Sequence, residues 1–477
     1  MDYSFDRISS LLFDRKYTFY WIFLIAFVLR IYGLGDHSLW IDEAGTSSLV
    51  ETFLQSGVSE YPSGVESNRS RPFILITSLC VFFLGLNDFA LRLPSLLFSV
   101  STINLVFRWG KELFDFRIAT LAALILTFSS WHIGMAQNAR MYSMFQLLYL
   151  LSFYLIYRYE SNGKCIEFFL LIITISLSLL THITGYILIF TVPLLFIWLS
   201  KTILSKKFIS ISLLVLVAGL IGENIYFNFD YIFDKLQYYP NTAIHQVSWF
   251  INNLPFLSSL GPLGLILSVL DQKKVFKIFV MAIIPPLLVY IFLVEMPASR
   301  YLFFALPFLT LLTSYFVMSL TDKIVRIKFF RNKKIIFGFL LILTSIYNPL
   351  NPSLGSSTPQ ADFKSIYLYI DDEKAREDVI IAGRTLPADH YLRDPDYVLK
   401  ERNYSSTYFE NGDYIYSNSS FVENKTNLNN IIENNSRGWI VASDIVQMNI
   451  DYSLESRIKQ LNLVKRERNI SLWTWNN

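Results

Sequence analysis

An adjacent acidic pair, Asp42-Glu43, follows the apolar run Leu39-Trp40-Ile41 in the segment from Gly35 to Ala44. A carboxylate there can take a proton from an attacking hydroxyl, or the pair can help to hold a divalent cation beside a phosphate. Four arginines stand in comparable settings: Arg71 before Pro72, Arg92 in Leu91-Arg92-Leu93-Pro94-Ser95, Arg140 in Gln137-Asn138-Ala139-Arg140-Met141-Tyr142, and Arg300 before Tyr301. The planar guanidinium matches phosphate oxygens two at a time. His182, in Thr181-His182-Ile183-Thr184, adds a titratable ring. Each of these has an ordinary alternative, as a solvated loop acid, a headgroup anchor or a packed histidine. As a set they suit an anionic headgroup together with a hydroxyl acceptor.

The elements that must position these residues are apolar helices. Of the 477 residues 53% are hydrophobic and 17% charged, against about 25% charged in soluble domains. Apolar runs recur from residue 17 to about 350, each of the ~17–25 residues that cross a bilayer core of about 30 Å. The expected spans are 17–35, 89–107, 118–136, 141–158, 166–181, 184–200, 208–227, 250–270, 278–294, 301–320 and 335–350, eleven in all. The first has no small-residue cleavage site after it and is read as a retained span. The run 72–86 is left out, because about 15 residues opened by a proline suit a helix lying in the interface.

Charge placement supports that choice. With 72–86 outside the count, the segments on the N-terminal side of the membrane hold twenty Lys and Arg residues and the short opposite loops hold five. Counting 72–86 as a span would erase the asymmetry that marks the cytoplasmic side. The N-terminus is therefore expected in the cytoplasm, and the acids, arginines and histidine above on the extracytoplasmic face of a plasma (inner) membrane. Cys80 and Cys165 then fall on opposite sides, which argues against a disulfide. A net charge of +3 gives no reason to expect nucleic acid.

From about Asn351 the composition turns to Asn, Ser, Asp and Tyr. The expected division is a membrane domain over 1–350 and an extracytoplasmic domain over 351–477. Short β-like runs at Asp378–Ala382, Gly438–Ala442 and Ser471–Trp475, with an amphipathic stretch from Phe363 to about Ala375, predict a small α/β fold.

The ordered motifs from Leu39-Trp40-Ile41-Asp42-Glu43-Ala44 through Arg71-Pro72, Leu91–Ser95, Gln137–Tyr142 and Thr181-His182 to Arg300-Tyr301 resemble the GT-C class of membrane glycosyltransferases. The likeness is to the branch of the protein O-mannosyltransferases and the lipid A aminoarabinose transferase, over about residues 17–320. It implies about eleven transmembrane helices with juxtamembrane helices, and a polyprenyl-phosphate-linked sugar as donor. It also implies transfer, with inversion, to a protein, glycolipid or polysaccharide. By the same resemblance Asp42 is the base or the acid that orients the acceptor, and Glu43 assists it. Arg71 stands where the aminoarabinose transferase has a carrier-phosphate lysine, and Arg92 matches an important arginine of the mannosyltransferases. Gln137, Arg140, Tyr142, His182, Arg300 and Tyr301 are expected at the carrier or substrate site, with Asp42 and Glu43 the positions for any divalent metal ion. Arg140 departs from the pattern, since the aminoarabinose transferase has an acid in the corresponding region.

Two other classes fit parts of this pattern. A transporter or flippase of an anionic lipid-linked saccharide would also need arginines facing a cavity, yet such proteins commonly show repeated halves and this sequence shows no repeat. A scaffold that had kept the fold without activity would be expected to lack the loop acids, and both are present.

Overall fold

A computed structural model describes residues 15–67, 70–199, 240–293, 298–324, 361–402, 409–410 and 413–476. The expected spans at 208–227 and 335–350 lie outside them. The protein is mostly helical, with a sheet near its C-terminus, and divides into two compact units that are not contiguous in sequence. The first comprises residues 1–32, 69–73 and 95–357; the second comprises 33–68, 74–94 and 358–477.

Among the described residues of the first unit three helices are long and apolar enough to cross a membrane: Asp88–Leu113 (from Ser95 onward in this unit), Lys273–Ile291 and Ser299–Lys323. Two bent pairs, Phe116–Phe128 with Ser130–Ala136 and Val247–Asn253 with Pro255–Asp271, pass the same test when each is taken as one span. Both bends have a local cause. The first, of 63°, falls at Ser129, whose hydroxyl accepts the His132 amide and so starts a new helix. The second, of 102°, falls before Pro255, which has no N–H to continue a ladder and forces its predecessor out of helical geometry.

Aromatic packing fills the interior of this unit. Trp109 is fully buried, with the rings of Phe279, Tyr154 and Phe308 centred 5.5, 6.0 and 6.0 Å away. The helices Pro255–Asp271 and Leu306–Ile324 meet almost backbone to backbone at Gly264, where a Cβ would lie 2.1 Å from the Leu312 carbonyl oxygen. Small residues permit such approach where lipid supplies no hydrophobic drive between helices. Large side chains such as Phe169, Phe190, Leu194 and Ile266 point outward, as a lipid-facing surface requires.

In the second unit the helix Ile41–Ser56 carries the acidic pair on its first turn. The pair, which its sequence alone suggests is in a loop, is thus helical. The stretch Arg71–Leu84, which was left out of the span count, is a 14-residue helix and so about 21 Å long. Most of it belongs to this unit. The tail forms a six-stranded sheet in the order β5-β2-β1-β6-β8-β7. Its strands are β1 (Val379–Ala382), β2 (Tyr397–Leu399), β5 (Ser420–Val422), β6 (Arg437–Ser443), β7 (Asn462–Glu467) and β8 (Ile470–Asn476), while β3 (Phe409–Glu410) and β4 (Asp413–Tyr414) pair separately. From β5 to β6 the pairing is parallel, and from β6 to β7 antiparallel. Alternate residues of β6 serve the two faces. Trp439 and Val441 pack with Phe363, Ile366 and Ile370 of the helix Phe363–Glu373. Ile440 and Ala442 pack with Leu428, Ile432, Leu454 and Ile458 from two later helices. The predicted α/β tail is therefore a twice-covered sheet.

Candidate functional site

The polar groups expected to do chemistry fall into two sets, one in each unit. In the second unit the chain enters the helix Ile41–Ser56 through an extended Trp40. Glu43 reaches back from the first turn, its Oε2 accepting the Trp40 amide at 3.2 Å, the reciprocal half of a capping box. Arg92 grips the same carboxylate with both arms: Nε to Oε1 at 2.9 Å and Nη2 to Oε2 at 3.0 Å. Its remaining donors go to the carbonyls of Leu34, His37 and Ser38 at 3.0, 2.9 and 3.1 Å. A guanidinium has five N–H groups, and all five are taken. Glu43 and Arg92 are 3% and 2% exposed.

This arrangement bears on the expectation for Arg92. Arg92 is not placed as a phosphate ligand, because every donor it has is spent on Glu43 and the loop before it. Both Glu43 oxygens already accept hydrogen bonds, from Trp40 and from Arg92. Among the described residues no three His, Cys, Asp or Glu side chains gather to hold a metal ion. Asp42 is different. It is half-buried on the first turn of the helix, next to Glu43 in sequence.

The first unit gathers the other set. The 3-10 segment Ser299–Ala305 presents Arg300 and Tyr301. Arg300 Nε donates to the Tyr142 hydroxyl at 2.9 Å. The His182 ring is centred 5.7 Å from that of Tyr142 and 5.6 Å from that of Tyr301, and it stacks on Phe145 at 5.0 Å. His182 stands between the helix Cys165–Thr181 and the segment Ile183–Ile187, where its Nδ1 accepts the Thr184 amide. Burial, with the charges of Arg140 and Arg300 adding to it, pushes its pKa down to about 3. The ring is therefore neutral at physiological pH. Arg140 anchors its turn through a carbonyl that accepts the Ser95 hydroxyl at 3.0 Å.

Arg71 begins the helix Arg71–Leu84 and is exposed. The preceding Ser70 takes a left-handed backbone, φ 56°, which costs a non-glycine residue energy and persists where the surroundings enforce it. Its hydroxyl donates to the Thr181 carbonyl at 2.9 Å. That bond sets Arg71 in sequence next to a residue tied to the neighbour of His182. The Gln137 amide caps the helix Arg15–Ile31 by donating to the carbonyls of Arg30 and Tyr32 at 3.1 and 2.8 Å.

Sequence reading missed a buried relay behind this set. Arg30, fully buried, donates to the Leu126 and Thr127 carbonyls beside the 63° bend, to Ser99 Oγ at 2.8 Å, and to His132 Nδ1 at 2.8 Å. Because arginine only donates, His132 Nδ1 accepts and Nε2 carries the proton. Nε2 faces Gln146 Oε1 at 2.9 Å, and the Gln146 amide donates to the Phe303 carbonyl at 2.7 Å. Phe303 lies on the segment that bears Arg300. Arg30 falls inside an expected span, and an ionisable residue there was the available signal.

Comparison with known proteins agrees with the fold. A family model described as dolichyl-phosphate-mannose-protein mannosyltransferase matches residues 71–225. No curated protein sequence matches the chain. Among solved structures, ArnT from Cupriavidus metallidurans bound to undecaprenyl phosphate superposes with a TM-score of 0.65 at 12% identity, over 96% of this chain and 98% of that one. The archaeal oligosaccharyltransferase AglB from Archaeoglobus fulgidus, in complex with an inhibitory peptide and a dolichol-phosphate, gives 0.57 at 11% identity over 94% of this chain and 73% of its own. The likeness at such identities is one of fold, and that fold is the one the motifs led us to expect: a multi-pass membrane protein of GT-C architecture.

Proposed function

We propose that this chain, with its GT-C fold, is a glycosyltransferase that moves a sugar from a polyprenyl-phosphate carrier to an acceptor hydroxyl on the extracytoplasmic face of the membrane. The observation that carries this reading is the gathering of Tyr142, His182, Arg300 and Tyr301, with the charge of Arg140 bearing on the same histidine. Arginines beside a neutral imidazole and phenolic hydroxyls form a cradle for a phosphate monoanion or dianion. A protonated histidine would add charge, but a neutral one supplies hydrogen bonding without requiring acid.

The chemistry follows from those roles. Asp42 accepts the proton of the acceptor hydroxyl as its oxygen attacks the anomeric carbon. The bond from that carbon to the phosphate oxygen breaks, and its electron pair leaves with polyprenyl phosphate. Arg300 and Arg140 stabilise the charge that develops on the leaving group, which is where fixed donors gain most. A single displacement inverts the anomeric centre. Glu43 and Arg92 contribute by holding the turn that carries Asp42. Undecaprenyl phosphate and dolichol-phosphate, the lipids named for the two structural neighbours, are the carrier class this reading calls for.

The test supplies the full-length protein in vesicles with a labelled polyprenyl-phosphate sugar and a membrane acceptor fraction. The reading predicts release of polyprenyl phosphate together with a new glycosidic bond. Movement of label across the bilayer with no new product would overturn it in favour of a transporter.

A further inference from the structure

We infer that the C-terminal tail is a working part of the proposed site, with Tyr391, Lys364 and His390 acting as positioning residues for Asp42; the inference rests on the functional reading above. The starting point is the composition of the helix that bears Asp42. Ala44-Gly45-Thr46-Ser47-Ser48 follows the acidic pair, and glycine, threonine and serine are weak helix formers. Such a helix relies on tertiary contacts to exist, and the second unit shows which contacts these are.

Three successive ties come from the tail. At the helix entrance, the Tyr391 hydroxyl accepts the Leu39 amide at 2.7 Å and donates to Asp88 Oδ2 at 3.2 Å. Just before it, the Lys364 amide donates to Ser38 Oγ at 3.2 Å, and its ammonium donates to the Gly35 carbonyl at 2.8 Å and to Asp88 Oδ2 at 2.9 Å. On the second turn, Ser47 Oγ meets His390 Nδ1 at 2.7 Å and Ser48 donates to Asp389 at 2.5 Å. His390 Nε2 in turn faces Asp88 Oδ1 at 3.0 Å. The close approach is possible because residue 45 is glycine: a Cβ there would stand 3.3 Å from the Leu386 side chain.

Ser47, His390 and Asp88 make a serine–histidine–carboxylate series, yet Ser47 is 1% exposed and the side chains of His390 and Asp88 are each 5% exposed. A serine so enclosed within a helix cannot reach a substrate, so the series serves to fix position. Asp88 is the hub, shared by Lys364, His390 and Tyr391. The backbone immediately before Asp42 therefore has two clamps, Glu43 with Arg92 from within the membrane-proximal sequence and Tyr391 with Lys364 from the tail. A misplaced catalytic carboxylate slows the chemical step without weakening the grip on a carrier phosphate.

The experiment compares full-length wild type, Tyr391→Phe, Lys364→Met and Lys364→Arg in vesicles, with Lys459→Ala, on the exposed end of a tail helix, as control. Expected for Tyr391→Phe and Lys364→Met is a fall in kcat of about tenfold with donor KM within about twofold of wild type. Faster hydrogen exchange at the amides of residues 39–48 should accompany it. Lys364→Arg should recover much of the rate, and Lys459→Ala should match wild type throughout. A wild-type kcat in Tyr391→Phe and Lys364→Met, with or without faster exchange, overturns the inference and leaves the functional reading standing. An equal fall in every variant, the control included, also overturns it. Absence of sugar transfer by the wild type itself would defeat the functional reading, and the inference with it.

Discussion

Arg92 and Arg300 look alike in the sequence, each near the end of an apolar segment and each followed by a residue of bulk. Their surroundings divide them. Arg92 is buried with all five donors spent on Glu43 and on three carbonyls of the preceding loop. Arg300 is half-buried, with Tyr142, Tyr301 and His182 about it. One arginine builds a turn, and the other is the one to which the proposed function gives the carrier phosphate. An arginine near a membrane rim is therefore no evidence of phosphate binding until its donors are accounted for.

The sharpest way to break this comparison is Arg92→Gln. It leaves the Glu43 carboxylate buried without its counter-charge, and removing one partner of a buried pair costs about 3–5 kcal/mol. Thermal unfolding in detergent should show a large drop, and Arg92→Lys should recover little of it, because one ammonium cannot reach five acceptors. A normal melting curve for Arg92→Gln would contradict the structural role given to this arginine. Arg300→Gln should behave in the opposite sense. Losing a charged hydrogen bond to phosphate is worth about 1.5–3 kcal/mol, so affinity for undecaprenyl phosphate should fall roughly 10- to 100-fold with melting nearly unchanged. Tyr142→Phe removes only the hydroxyl that orients Arg300 Nε. Its expected cost is about 0.5–1.5 kcal/mol, read as a few-fold rise in donor KM. If Tyr142→Phe outweighs Arg300→Gln, the phenol rather than the guanidinium meets the donor.

Much of the architecture was legible because periodicity and composition are local signals. The apolar helices over 89–107 and 301–320, the short helix within 72–86 and the strands β1, β6 and β8 stand where patterning put them. Strands β2 and β5 are three residues each, too short to alternate. β7, Asn462–Glu467, is charged and half exposed, so it reads as a loop. The helix under Asp42 was hidden for a related reason, since Gly45 to Ser48 disfavour it and distant residues stabilise it. Tyr142, His182, Arg300 and Tyr301 lie together, but spacing could not tell Arg92 from Arg300 or show that Gln137 caps a helix. Lys364, His390 and Tyr391 lie some 300 residues beyond the loop they hold, and no sequence window joins them.

The central claim is that Asp42 is the group that makes transfer happen while the arginine cluster makes the carrier bind. The most direct measurement is Asp42→Asn in reconstituted vesicles, with undecaprenyl phosphate binding and sugar transfer followed on the same preparation. The account predicts binding within about twofold of wild type and transfer lowered by at least about 100-fold, the scale of a lost general base. Transfer near the wild-type rate with binding intact would contradict it.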